Sequence, residues 1–232
     1  SQADATLYSG DSTNDNGFAA EMADLSGDGI LDVACGEPEE SRGFIVHGPI
    51  SGTLDHEADA DSLINGTDTS GFLVSKLAAG DFNDDGYLDL AIGSQQSDHA
   101  AEDAGLVSVF SGPITSDIDP EDDYDFAAYG ASPGNNLGSS FDHMLATDID
   151  SDGPAELLIG MSYNDSSAYN AGAIFVHYGP LSGLHDTRSF GRAIFGGSSS
   201  DYLGRSLDVS DIDSNGSVDL IGSAYRANNT GE

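Results

Sequence analysis

Four short stretches of the chain set oxygen-bearing side chains at alternate positions around a single glycine: residues 24–32 (DLSGDGILD), 81–89 (DFNDDGYLD), 148–156 (DIDSDGPAE) and 211–219 (DIDSNGSVD). Carboxylates, hydroxyls and amides spaced in this way suit the wrapping of a hard cation. Calcium takes about six to eight oxygens at roughly 2.3–2.6 Å, and side chains at positions 1, 3, 5 and 9 with a backbone carbonyl at position 7 supply most of them. Position 6 must turn sharply, which glycine permits without steric cost, and Gly29, Gly86, Gly153 and Gly216 stand there. The predicted ligands of loop 1 are Asp24, Ser26, Asp28, the Ile30 carbonyl and Asp32, and those of loop 2 are Asp81, Asn83, Asp85, the Tyr87 carbonyl and Asp89. Loop 3 offers Asp148, Asp150, Asp152, the Pro154 carbonyl and Glu156, and loop 4 offers Asp211, Asp213, Asn215, the Ser217 carbonyl and Asp219.

The helical EF-hand loop also alternates acids around a glycine, but it requires a bidentate Glu at position 12. Here position 12 is Cys35, Ile92, Ile159 or Gly222, inside an apolar run. That excludes the EF-hand and favours a cage built on a β-turn. The side-chain ligands carry −13 in total, and four Ca²⁺ would bring the formal net charge from −35 to −27. Without cations, three or four carboxylates in one turn repel one another. Loop 3 is the odd member, with the longer Glu156 at position 9 and the stiff Pro154 at position 7.

The loops recur 57, 67 and 63 residues apart, a period that fits a four-stranded propeller blade. The flanking apolar runs are short and bounded by Gly, Asp, Asn and Ser, with no helical period, so the expected class is all-β. Each unit reads as a first strand (FAAEMADL from Phe18, FLVSKLAAGDF from Phe72, SSFDHMLATDI from Ser139, RSLDVSDI from Arg205), the acidic turn, and a second strand (LDVACG, LDLAIG, ELLIG, VDLIG). A third strand then ends each time in Gly-Pro followed by Ile or Leu: residues 43–50, 105–114 and 172–181. Proline cannot donate to a ladder and stops the strand. A polar segment leads to an outer fourth strand (DSLINGT, YDFAAYGAS, RAIFGGS), expected to be a polar edge. The units so defined span about 17–66, 71–130, 137–196 and 203–232, three whole and one partial, and residues 1–10 (with ATLYSG) read as the outer strand of a preceding blade. The expectation is a single propeller domain, or part of one, continuing into blades outside this chain or assembling with other copies.

The loop pattern resembles the FG-GAP repeats of integrin α-subunit propellers. The leading FG-like element is read at Gly17-Phe18, Gly71-Phe72, Leu137-Gly138 and Leu203-Gly204, and the trailing GAP-like element at Gly36-Glu37-Pro38, Gly93-Ser94, Gly160-Met161 and Gly222-Ser223-Ala224. The resemblance covers nearly the whole chain. It implies a propeller, usually of seven blades, in which about four calcium ions here would brace the blades while partners bind elsewhere on the propeller face.

Composition narrows the partners. With 41 acids against 6 basic residues, the chain would repel nucleic acid and anionic membranes. No stretch of about 18 apolar residues and no secretory signal is present. Cys35, alone in its type, sits in an apolar run and is expected to be a small buried residue. The histidines are scattered; His47 and His177 are read as equivalent positions of two third strands with packing roles. No G-x-S-x-G elbow or H-E-x-x-H pair occurs. The expectation is a calcium-stabilised, non-catalytic extracellular or surface module for adhesion or protein contact. The alternatives are a carbohydrate-binding propeller, with Tyr163, Tyr169 and Tyr225 as candidate contacts, and a propeller attached to a polysaccharide-degrading enzyme.

Overall fold

A computed structural model describes residues 5–8, 19–66, 72–139, 141–187 and 192–227. The expected elements at Gly17-Phe18, Gly71 and the last five residues lie outside this set. Every described strand is short, and among the described residues no α-helix occurs; a single 3-10 turn spans Pro38–Glu40. The chain is all-β.

The first sheet has the order β2 (Ala19–Ala23), β3 (Asp32–Glu37), β4 (Arg42–Val46) and β6 (Ser62–Asn65), antiparallel throughout. The second runs β7 (Lys76–Gly80), β8 (Asp89–Ser94), β9 (Leu106–Phe110) and β10 (Phe126–Tyr129), and the third β11 (Met144–Thr147), β12 (Glu156–Met161), β13 (Ala173–His177) and β15 (Arg192–Phe195). β16 (Leu203–Ser210) and β17 (Asp219–Ala224) form a two-stranded sheet.

Two strands lie outside the four-strand expectation. β14 (Gly183–Asp186) runs parallel to β10 and makes the second sheet five-stranded, and β5 (Gly52–Asp55) pairs in parallel with β1 (Ala5–Tyr8). In the second unit the outer fourth strand is therefore not the free polar edge expected, whereas β15 of the third unit ends its sheet and is largely exposed. β10 is covered by a segment of the next unit and is almost wholly buried. Covering an edge in this way removes a template for aggregation.

The core lies between sheets rather than within one. One apolar cluster joins Leu25, Ile45 and Ile64 of the first unit to Leu73, Leu90 and Ile92 of the second. Another joins Phe82, Ala91 and Val109 of the second to Leu157, Ile159 and Phe175 of the third. Leu90 and Ile92 thus face one neighbour and Ala91 the other. Every residue of β8 and of β12 is buried, because both faces of each sheet are packed. That is why LDLAIG and ELLIG show no period-two alternation. β17 at the end of the stack is only half covered.

The first strands β2, β7 and β11 converge along one side, where Glu21, Lys76, His143 and several alanines line a cavity of about 410 Å³. The trailing glycines make this close stacking possible. A Cβ on Gly93 would lie 2.6 Å from the Gly138 carbonyl oxygen, and one on Gly160 would clash with that of Gly204.

The structure also corrects two alignments. Phe72-Leu73-Val74, Asn136-Leu137-Gly138 and Tyr202-Leu203-Gly204 are equivalent turns, each with a buried leucine between two residues at positive φ. The partner of Leu137-Gly138 is therefore Leu73-Val74 and not Gly71-Phe72. Val74 takes φ 57° where its equivalents are glycine, an uncommon conformation for a β-branched residue. The same turn explains why β7 begins only at Lys76. In the third strands, His177 pairs with Leu157 as Val46 pairs with Val33, so His177 matches Val46 and His47 matches Tyr178. His177 is buried edge-on against Phe126, and burial, with a smaller contribution from His185, pushes its imidazole down to about 3. It is a neutral packing residue.

Candidate metal centres

Each acidic loop joins a first strand to a second: β2 to β3, β7 to β8, β11 to β12 and β16 to β17. The turn glycine is left-handed in all four, with φ between 86° and 120° at Gly29, Gly86, Gly153 and Gly216. Position 4 is left-handed as well: Gly27, Asp84, Ser151 and Ser214 have φ between 60° and 75°. Only loop 1 spends a glycine there, so the sequence pattern does not announce it.

The position-1 aspartate organises the turn by accepting two amides. Asp24 accepts from Asp28 N–H at 3.0 Å and Gly29 N–H at 2.8 Å. Asp81 accepts from Asp85 and Gly86, and Asp211 from Asn215 and Gly216, in the same geometry. Position 5 then accepts from the amide of position 7: Asp28 from Ile30, Asp85 from Tyr87, Asn215 from Ser217. Loop 3 departs here. Pro154 has no N–H to give, and Asp148 accepts from Ser151 at 2.6 Å while its Gly153 bond lengthens to 3.3 Å.

Position 9 plays a second role that the spacing did not reveal. Asp32 accepts from Ser26 N–H at 2.7 Å and from Gly48 N–H at 2.8 Å. Asp89 accepts from Phe82 and Gly112, both at 2.9 Å. Gly48 and Gly112 each precede a proline at the end of a third strand, so the carboxylate ties the loop to that strand. Asp32, Asp89 and Glu156 are fully buried; Asp219 is part-buried and accepts from Ile212 at 2.9 Å. Glu156 accepts from Ile149 at 2.7 Å through one oxygen, and its other oxygen is buried without a hydrogen-bond partner.

Charge crowding is visible in the proton affinities. Burial pushes Asp89 up to about 6 against the pull of its two amide donors, and Asp85 and Asp81 push the same way. Glu156 is raised by burial and then by Asp150, Asp148 and Asp152. Asp152 is raised by desolvation and then by Asp150 and Asp148, with Asp84 of the neighbouring loop adding to it. The loops lie close together: a Cβ on Gly153 would come within 3.5 Å of the Asp84 carboxylate, and one on Gly27 within 2.9 Å of the Tyr87 ring.

The donor sets of loops 3 and 4 could hold a cation, whereas the carboxylates of loops 1 and 2 do not converge to the same spacing. Oxygens of Asp148, Asp150 and Glu156 lie within 4.8 Å of one another, as do those of Asp211, Asp213 and Asp219. The buried Ser26 hydroxyl, at position 3 of loop 1, has no hydrogen-bond partner. Asn83, its counterpart in loop 2, accepts from Asp85 N–H and donates to the Asp85 and Ser111 side chains. Of the position-7 residues, Ile30 and Tyr87 leave their side chains exposed, Ser217 is exposed and Pro154 is buried.

Away from the loops, Glu37 is buried between Arg42 Nε at 2.9 Å and His56 Nε2 at 2.5 Å, tying β3 and β4 to the segment after β5. No spacing rule pairs these residues in sequence. Cys35, beside them, is half-buried rather than buried, and burial followed by Glu37 pushes its thiol up to about 11. That is the opposite of an activated nucleophile.

Residues 74–110 match the FG-GAP repeat family model. The chain is 27% identical over 175 residues to the phosphatidylinositol-glycan-specific phospholipase D of Bos taurus, covering 70% of this chain and 20% of that protein. The Mus musculus protein of the same name is 28% identical over 188 residues, with the same coverage. The integrin alpha pat-2 of Caenorhabditis briggsae is 25% identical over 250 residues, covering 92% of this chain and 18% of that protein. The chain thus spans about a fifth of the length of these relatives.

Proposed function

We propose that this chain, which carries the FG-GAP repeat, is a calcium-stabilised β-propeller segment that presents a binding face for adhesion or protein–protein contact outside the cell. Its stacked sheets are blades about an axis marked by β2, β7 and β11, and the acidic loops are clips at one end of each blade. The observation that carries the calcium reading is loop 3. Three carboxylates converge within 4.8 Å, and one of them, Glu156, keeps a buried oxygen without a partner. A cation supplies that partner and removes the repulsion at once. About four ions per chain, one per loop, follow from the four loops. Weak structural sites of this kind suit millimolar extracellular calcium. The likeness to an integrin alpha supports a protein-contact reading, and the chain itself is read as non-catalytic. Equilibrium dialysis with calcium tests the reading: about four ions bound per chain are expected, and no saturable binding would leave the loops as acidic turns.

A second reading, carbohydrate binding, is favoured by one surface. Tyr163, Tyr202 and Tyr225 form a continuous cluster with ring centroids 5.8 and 5.3 Å apart. Arg226 lies over both Tyr202 and Tyr225 at 5.3 Å, and Arg205 lies over Tyr225 at 4.7 Å. In a chain with 41 acids, neither arginine has an ion-pair partner among the described residues. Arg205 Nε also donates to the Phe141 carbonyl at 3.4 Å; aromatic rings carrying guanidinium groups outside ion pairs are suited to a sugar face bearing a carboxylate or sulfate. On an acidic-glycan array, the paired Tyr225→Ala and Arg226→Ala variant is expected to lose at least tenfold in binding. Absence of binding by the parent chain returns the choice to a protein partner.

A further inference from the structure

The Gly-Pro-[Ile/Leu] segment of each unit does more than end a strand. Ile114 N–H of the second unit donates to the Leu25 carbonyl in loop 1 at 2.7 Å, and Leu181 N–H of the third donates to the Phe82 carbonyl in loop 2 at 2.9 Å. Leu25 and Phe82 both occupy position 2 of their loops. Beyond this anchor the segment runs parallel to the outer strand of the preceding unit. Ile118 bridges Ile64 of β6, β14 lies along β10, and β5 lies along β1. The parallel run is thus seen three times, and the anchoring bond twice.

The third unit presents the same seat. Its position-2 residue is Ile149, and no described residue donates a backbone hydrogen bond to the Ile149 carbonyl. A groove of about 460 Å³ opens beside it, lined by Ile149, Val176, Tyr178, Arg192, Ile194 and Leu220 among others. The pairing registers make Ile194 the counterpart of Ile64 and Ala128, because all three lie opposite equivalent residues of their third strands. Ile64 and Ala128 are 0% exposed beneath their docked segments, whereas Ile194 is 49% exposed. Tyr178 stands where His47 does, and His47 Nε2 lies 3.1 Å from the Ile114 carbonyl of the segment docked in the first seat.

We infer that this groove is the binding site for a Gly-Pro-Ile or Gly-Pro-Leu segment of a further repeat unit. The incoming Ile or Leu amide would donate to the Ile149 carbonyl, its side chain would fill the space between Ile149, Val176 and Leu220, and the residues after it would run parallel to β15. Tyr178 and Arg192, stacked at 5.5 Å, would flank it with polar groups as His47 does in the first seat. This inference rests on the blade stacking proposed above and not on calcium, so failure of the calcium titration leaves it standing.

The test is to tether the occupant. A copy of residues 178–187 (YGPLSGLHDT) is fused behind Glu232 through a flexible Gly/Ser linker. The linker must run back along β17, six residues long, or about 20 Å at roughly 3.3 Å per residue. About fifteen Gly/Ser residues have that root-mean-square reach, and tethering holds the segment at an effective concentration in the millimolar range. Amide exchange at Ala193, Ile194 and Phe195 is expected to slow at least tenfold in the fusion. The slowing is expected to vanish when the leucine of the tethered Gly-Pro-Leu is replaced by Asp. Equal exchange in fusion and parent, or equal slowing by the Asp variant, overturns the inference. So does protection of β15 in the parent that grows with protein concentration, since a second copy would then be the occupant.

Discussion

Transfer from calcium to chelator at constant ionic strength is expected to lower the melting temperature by roughly 10–25 °C. Oxygen cages working outside cells hold calcium with dissociation constants of about 10⁻⁴–10⁻³ M. At about 10 mM calcium even the weaker limit leaves each site tenfold above its constant, which adds about 1.4 kcal/mol to the folded state. Four such sites contribute about 6 kcal/mol, and for a chain of this size each kcal/mol moves the midpoint by about 2–4 °C. Constant ionic strength matters because a chain of net charge −35 is also stabilised by simple screening. Magnesium is expected to rescue poorly, since it demands near-octahedral geometry and gives up its water reluctantly. An unchanged midpoint in chelator would show that the loops hold themselves together by hydrogen bonds alone. The contacts between loops, such as the Tyr87 ring over Gly27, give neighbouring sites a route to cooperate.

The loops were the most legible part of the sequence because their chemistry is local. A glycine at position 6 and acids at alternate positions are properties of nine consecutive residues, and the left-handed turn follows directly. What lay across sheets was hidden. Position 9 reads as one more ligand until the structure shows Asp32 and Asp89 accepting the amides of Gly48 and Gly112, sixteen and twenty-three residues away. The parallel strands β5 and β14 escaped notice because each is four residues long, opens on a left-handed glycine and draws its partner from another unit. Val74 concealed the equivalence of the leading turns by holding a glycine's conformation. Pairing register, not spacing from the nearest glycine, separates His177 from His47. The four-stranded repeat was readable, but the docking of one repeat on the next was not, because it lies in backbone groups that no side-chain pattern encodes.

The double role of position 9 leads to a comparison between two substitutions in loop 2. Asp89 has no exposed surface and accepts the Phe82 and Gly112 amides. Asp89→Ala leaves two buried donors unsatisfied, at about 1–3 kcal/mol each, and opens a small cavity. A loss of about 3–5 kcal/mol is expected in chelator, at the severe end for single substitutions, and in calcium the contribution of one site, about 1.4 kcal/mol, is lost on top of it. Asp85 is exposed, and its described bonds lie within the loop, to Tyr87 N–H and the Asn83 side chain. In chelator, Asp85→Ala removes a like charge from beside Asp81 and Asp89, so a change of no more than about 0.5 kcal/mol is expected. In calcium it forfeits the contribution of one site, about 1.4 kcal/mol, and leaves the other three occupied. Urea unfolding of both variants with and without calcium gives the four free energies. If Asp89→Ala is as mild as Asp85→Ala in chelator, the carboxylate is a ligand and nothing more. If Asp85→Ala is as severe as Asp89→Ala without metal, the turn depends on every one of its acids. The expected pattern, one variant damaged only in calcium and the other damaged with or without it, would divide the nine-residue loop into a rim that holds the ion and a buried root that anchors it to the sheet.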